Sequence, residues 1–233
     1  MTVECEDMNA DLCVRVGEHE KALEIGKRLG LDMIGLIVPV GSLKALKKAQ
    51  EERDWRLKPR LALGLDASAG KPSQMRKNVQ GMRRSAELVV VSGGTEELNR
   101  AAVETPEVDA LINHDIGGRS GINHVLARLA KKNGVAIGFD INQLMTSYRL
   151  GRIQEFSSMM ETASQVRKAG APFIITSGAR DAWDMRSPSE LIAFGRQLGF
   201  TEGQARKGLS DGIVRENRKR LSGKWVMPGV EVE

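Results

Sequence analysis

Sulfur and aromatic rings are both scarce in this chain. Two cysteines, Cys5 and Cys13, occur in 233 residues, too few for a disulfide framework or a four-cysteine zinc site. That usage fits a reducing, cytoplasmic setting. Aromatic residues make up 4% of the chain, with a single tyrosine. Modules that read single strands by stacking bases on rings need more. No apolar run approaches the roughly 18 residues of a membrane span, so no membrane partner is expected. The acidic start (Glu4, Glu6, Asp7) lacks the basic and apolar regions of a signal peptide. Neither a Gly-x-Gly-x-x-Gly fingerprint nor a Walker loop is present. Histidines number three: His19, His114 and His124. None stands at ligand spacing from another, and no acid, base and nucleophile come together around Cys5, Cys13, Ser92 or Ser177.

What is present is a rhythm of short Val/Ile/Leu runs and longer amphipathic ones. Strands are predicted at 11–16, 33–38, 60–66, 87–91, 108–112, 135–140 and 173–177. Helical patterns lie between them, at 18–29, 43–52, 73–83, 95–103 and 121–132. Seven such alternations imply parallel βαβ units. Without a dinucleotide loop after the first strand, they favour a closed barrel over an open sheet. The expected architecture is therefore a single-domain, seven-stranded, TIM-barrel-like (β/α) barrel with extra C-terminal helices. It spans residues 9–221, with an extension at 1–8 and a tail at 222–233. No strand is expected after Ser177. Two capping-box patterns, Ser187-Pro188-Ser189-Glu190 and Thr201-Glu202-Gly203-Gln204, open helices in that last part.

Charge is organised. The net charge is +5, and Lys71, Arg76, Lys77, Arg83 and Arg84 lie in a segment free of acids. In the fifth helix Ile122, Val125, Leu126 and Leu129 form the expected buried stripe, opposite Arg128, Lys131 and Lys132. Arg215, Arg218, Lys219 and Arg220 crowd the last helix. Lys58 is expected to be compensated by Glu51, Glu52 and Asp54. Solvated helix faces account for any one cluster, whereas several together suggest phosphate backbones.

Two blocks carry a resemblance. Residues 109–139 run from a strand through His114-Asp115 and Gly117-Gly118-Arg119. They continue through Ile122-Asn123-His124-Val125-Leu126-Ala127 and the pair Lys131-Lys132 to a second strand. Residues 175–192 include Thr176-Ser177, Trp183-Asp184-Met185-Arg186 and a Pro188-started helix. Together these resemble archaeal RNase P protein component 3, the relative of the eukaryotic thirty-kilodalton RNase P subunit. Arg149 and residues 153–167 are similar to that family's long helix.

The resemblance implies a cofactor subunit of ribonuclease P. The RNA subunit would carry the Mg²⁺-dependent removal of the 5′ leader from precursor tRNA. This chain would bind RNase P RNA and RNase P protein component 2, with no cofactor or metal of its own and no catalytic residue. The family is similar in fold to metallohydrolases of the polymerase-and-histidinol-phosphatase superfamily, which open with Asp-Leu-His-x-His. Here the stretch reads Asp11-Leu12-Cys13-Val14-Arg15. Both ligand histidines are replaced, which leaves Asp11 and His114 as relics or structural residues. The residues nominated for RNA are Arg119, Lys131, Lys132, Arg149, Arg180 and Arg186. The alternatives are an active metal-dependent phosphoesterase of that superfamily, and a scaffold that binds only the protein partner.

Overall fold

The computed structural model describes residues 8–54, 56–221, 225–227 and 230–231. Cys5 lies outside them. Seven strands form one parallel sheet in sequence order: β1 (Ala10–Val14), β2 (Met33–Val38), β3 (Arg60–Asp66), β4 (Leu88–Ser92), β5 (Ala110–Ile112), β6 (Ala136–Asp140) and β7 (Phe173–Thr176). The wall helices are α1 (His19–Arg28), α2 (Leu43–Glu52), α3 (Pro72–Met82), α4 (Glu96–Glu104) and α5 (His124–Asn133), then α6 (Ile141–Thr146) and the long α7 (Arg149–Ala169). Three more follow β7: α8 (Pro188–Gln197), α9 (Glu202–Lys207) and α10 (Gly212–Leu221). Both expected capping boxes form, with Ser187 and Glu190 bonded reciprocally, as are Thr201 and Gln204.

Two expectations about strands and buried faces fail. The tail carries a short antiparallel pair, β8 (Trp225–Met227) and β9 (Val230–Glu231), so strands do occur after Ser177. Strands of three and two residues are too short for alternation to reveal; the Pro228-Gly229 dipeptide was the available turn signal. Val125 is not in the buried stripe but 41% exposed. It lies in the first turn of α5, next to the loop that arrives from β5, and Leu126, Ala127 and Ala130 make the buried face instead.

Side chains divide between two compartments. One set, including Ile34, Leu63, Val89, Leu111 and Ile137, fills the space between sheet and helices. The other, including Leu12, Met33, Leu88, Val90 and Ile112, fills the barrel interior. Seven strands enclose a narrow interior, and glycine thins the wall where needed. A Cβ at Gly35 would stand 2.4 Å from the Leu12 carbonyl oxygen. Val214 of α10 is fully buried within the inner set, so α10 stoppers the end at which the strands begin.

The ladder leaves β1 and β7 as its edges, and a carboxylate joins them. Asp11 Oδ1 accepts from the Thr176 hydroxyl at 2.6 Å and from Ser177 N at 3.1 Å. Cys13 N donates to Thr176 Oγ1 at 3.2 Å, and Arg15 N to the Ala179 carbonyl at 2.7 Å.

At the strands' N-terminal rim a second device repeats. Asp32, Glu87 and Asp109 each stand one residue before the first paired residue of β2, β4 and β5. Their carboxylates accept a backbone N–H from the neighbouring strand or the residue just before it: Asn9 at 3.1 Å, Leu63 at 2.7 Å and Val89 at 2.7 Å. Each also holds a cation, Lys58, Arg218 and Arg83 respectively. Lys58 is thus compensated by Asp32 and not by Glu51, Glu52 or Asp54; proximity in sequence misled because the loop returns to the rim.

Candidate nucleic-acid interface

The two ends of the barrel differ in chemistry. At the C-terminal ends of the strands, where barrel enzymes carry their sites, the chain's own side chains bond to one another across the mouth. Arg15 reaches over the mouth to Asp66 Oδ2 (3.7 Å) and Ser92 Oγ (3.3 Å), and Asn113 donates to the same Ser92 oxygen at 3.1 Å. Burial pushes the Cys13 thiol up, holding it as the neutral form that ligates poorly. Burial also lowers His114 to about 4, so its imidazole is neutral, and it lies edge-on to Phe139. Among the described residues no three His, Cys, Asp or Glu side chains converge as an ion requires.

Beside this mouth lies a carboxylate pair, Glu155 buried and Asp115 half-buried. The Gln143 amide donates to both Asp115 and Glu155. Burial and the neighbouring Asp115 raise Glu155 to about 7. An acid raised in the fold contributes stability that is present below its unfolded value near 4.5 and lost as pH rises through about 7. Glu155→Gln is therefore expected to unfold about 3 °C higher than the parent at pH 8 and at the same temperature at pH 5. A parallel pair of curves of Tm against pH would overturn this.

The loop after β5 is fixed before it presents anything. Asn99 Nδ2 donates to the carbonyls of His114 (2.6 Å) and Gly121 (3.2 Å). Gly121 has no room for a Cβ, which would fall 1.7 Å from the His114 oxygen. Ser120 is tied to Thr162 of α7 at 2.9 Å, and reciprocal backbone bonds between Ile116 and Arg119 close the tip. Arg119 is exposed there, and its side chain has no hydrogen bond or ion pair among the described residues. The loop after β7 presents Arg180 likewise, on a turn held by the Asp181–Asp184 capping box.

Arg186 is different. Its Nη1 donates to the Trp183 carbonyl (3.1 Å) and the Met185 carbonyl (2.9 Å), so the guanidinium is folded onto its own turn. Trp183 is 68% exposed, with the Lys21 ammonium 5.9 Å from a ring centroid. The sequence offered no signal for that pair.

The structure does not bring all nominated cations together. Arg119, Arg180 and Arg186 lie at the C-terminal mouth, and Arg149 opens α7 on the same side. Lys131 and Lys132 sit in the last turn of α5, which runs antiparallel to the strands, and hence at the opposite rim. Both are exposed and unpaired among the described residues. A cleft of about 570 Å³ on that rim, missed in the sequence, is lined by Met8, Asn9, Asp32, Lys58, Arg60, Arg206 and Lys207. Much of the charge that seemed free is bound elsewhere: Arg76 pairs Glu104, Arg83 pairs Asp109 and Arg218 pairs Glu87. No helix among the described residues is long and apolar enough to cross a membrane.

Comparison with known proteins places this geometry. The profile of the family "RNase P subunit p30" matches residues 8–222. Ribonuclease P protein component 3 of Haloarcula marismortui is 35% identical over 175 residues, covering 74% of each chain. That of Methanosarcina mazei is 36% identical over 172 residues, covering 72% of this chain and 71% of the relative. A chain in the cryo-EM structure of archaeal ribonuclease P with mature tRNA superposes with a TM-score of 0.82 at 24% identity, covering 95% of this chain and 96% of that one. A. niger ochratoxinase shares the fold alone, with a TM-score of 0.62 at 10% identity over 91% of this chain and 71% of its own. The chain belongs to the RNase P subunit p30 family, the protein component 3 of archaeal ribonuclease P.

Proposed function

We propose that this chain grips RNase P RNA through unpaired cations at both ends of its barrel and pairs with RNase P protein component 2, acting in the cytoplasm. Precursor tRNA is met through the holoenzyme. The Mg²⁺ needed for phosphodiester hydrolysis belongs to the RNA, and Asp11, Cys13 and His114 are packing residues. The observation that carries this reading is Arg119: an exposed guanidinium without an internal partner, on a loop anchored by Asn99 and Ser120. A cation held out by a rigid loop meets a phosphate with little ordering entropy. Arg180, Lys131 and Lys132 share its lack of partners. The scarcity of rings suits structured RNA, which is recognised by shape, phosphate and 2′-OH. Arg15 weighs against the phosphoesterase alternative, since a guanidinium paired with Asp66 stands where a cation would bind.

The experiment is reconstitution with RNase P RNA and the other protein subunits. Arg119→Ala with Arg180→Ala is expected to weaken assembly in limiting Mg²⁺ without changing Tm. Each lost phosphate contact should lower the slope of log affinity against log salt by about 0.7–0.9. Added Mg²⁺ should restore part of the loss by screening the same phosphates. Arg186→Ala should instead lower Tm, because it removes two charged hydrogen bonds within the turn. Wild-type assembly by the Arg119/Arg180 double variant would move RNA binding elsewhere.

A further inference from the structure

Helix α7 is 21 residues long, whereas α1 to α5 are 9 to 11 residues. At 1.5 Å per residue it measures about 31 Å against about 15 Å for the others. The surplus lies at its N-terminus: residues 149–154 are all exposed, and Glu155 is the first to be buried. A helix end projecting into water should be polar. This one carries Leu150, 74% exposed, and Ile153, 63% exposed, with Tyr148 at 81% before it and Met145 at 51% on α6. The corner is held in shape. Arg152 donates from Nε to the Ser147 carbonyl at 3.0 Å and from Nη2 to the Met145 carbonyl at 3.4 Å. Arg149 keeps a left-handed backbone, φ 46°. Its side chain has no partner among the described residues.

Single exposed apolar residues are ordinary, but a contiguous patch on the order of 400 Å² is characteristic of an interaction site. It amounts to about half of one partner's share of a standard protein interface. Residues 141–154 contain two arginines and no acid. We infer that the α7 overhang docks into an apolar groove rimmed by carboxylates on another protein subunit of the RNase P assembly. The inference rests on the reading that the chain works inside that holoenzyme. RNA is the poorer match, because Leu150, Ile153 and Met145 offer phosphates and bases no donor.

The test places a photo-crosslinking residue in the overhang, Ile153→p-benzoylphenylalanine, within the reconstituted holoenzyme of RNase P RNA and its protein subunits. The expected adduct is to a protein subunit other than this chain, at an acidic and apolar segment. An adduct to RNA, an adduct to a second copy, or no adduct in an assembly that needs this chain for precursor tRNA cleavage would each overturn the inference. Cleavage that does not depend on the chain would instead overturn the functional reading. Leu150→Asp with Ile153→Asp should leave thermal unfolding of the isolated chain unchanged and weaken co-elution with the crosslinked subunit at least tenfold. Unchanged co-elution counts against the overhang as well.

Discussion

Asp109→Ala is expected to destabilise the protein by about 3–5 kcal/mol, the cost of removing one partner from a buried ion pair. At about 2–4 °C per kcal/mol for a chain of this size, Tm should fall by roughly 10 °C. Two losses combine. Val89 N loses its acceptor at 2.7 Å, and Arg83, whose side chain is 15% exposed, loses the carboxylate held at 2.6 Å. Replacing both partners, Arg83→Met with Asp109→Leu, should cost less than Asp109→Ala alone, because no unpaired charge then remains and only the Val89 donor is stranded. Chemical denaturation monitored by circular dichroism measures all three. A loss below about 1 kcal/mol for Asp109→Ala would mean that water reaches the rim and that the repeated carboxylates there are not structural.

The second large effect is at the seam. Asp11→Ala strands the Thr176 hydroxyl and Ser177 N, each a buried donor, at an expected cost of about 3 kcal/mol. Asp11→Asn should behave otherwise. Burial raises the Asp11 pKa against the pull of those hydrogen bonds, and Oδ2 has no partner. The stability tied to a raised acid is present below its unfolded pKa near 3.8 and is lost as pH rises through the folded value. Asparagine keeps the Oδ1 acceptor and removes the charge. It should therefore match or exceed the parent in Tm at pH 8 and converge with it at acid pH. If Asp11→Asn is as damaging as Asp11→Ala at pH 8, the negative charge itself is wanted. That outcome would favour a metal ligand, and with it the phosphoesterase alternative.

The barrel was legible because its signals are local. The runs at 33–38 and 60–66 give β2 and β3 at their observed bounds, and 43–52 gives α2. Those segments begin and end at residues whose own propensities change sharply. The rim was not legible, because its partners are remote. Glu87 and Arg218 are 131 residues apart, and nothing near Arg218 shows that its charge is spoken for. The same limit governed the nominated cations. Sequence spacing identified Arg119 and Arg186 alike as loop arginines after strands, yet only geometry separates an outward guanidinium from one folded onto its own carbonyls. An acid immediately before a strand, as at Asp32, Glu87 and Asp109, was the one local clue to the rim.

The stopper formed by α10 has a consequence for synthesis. Val214 and Asn217 complete the end of the barrel at which the strands begin, and Asn217 donates to the Glu87 carbonyl at 2.7 Å. A ribosome that has just released β7 has made every barrel strand but not the helix that seals them. At about 5–20 residues per second, the interior stays open to water for seconds after the last strand appears. The barrel is therefore completed only once α10 has been made. A pause between residues 177 and 211 would hold out an apolar cavity with the binding properties of a chaperone client.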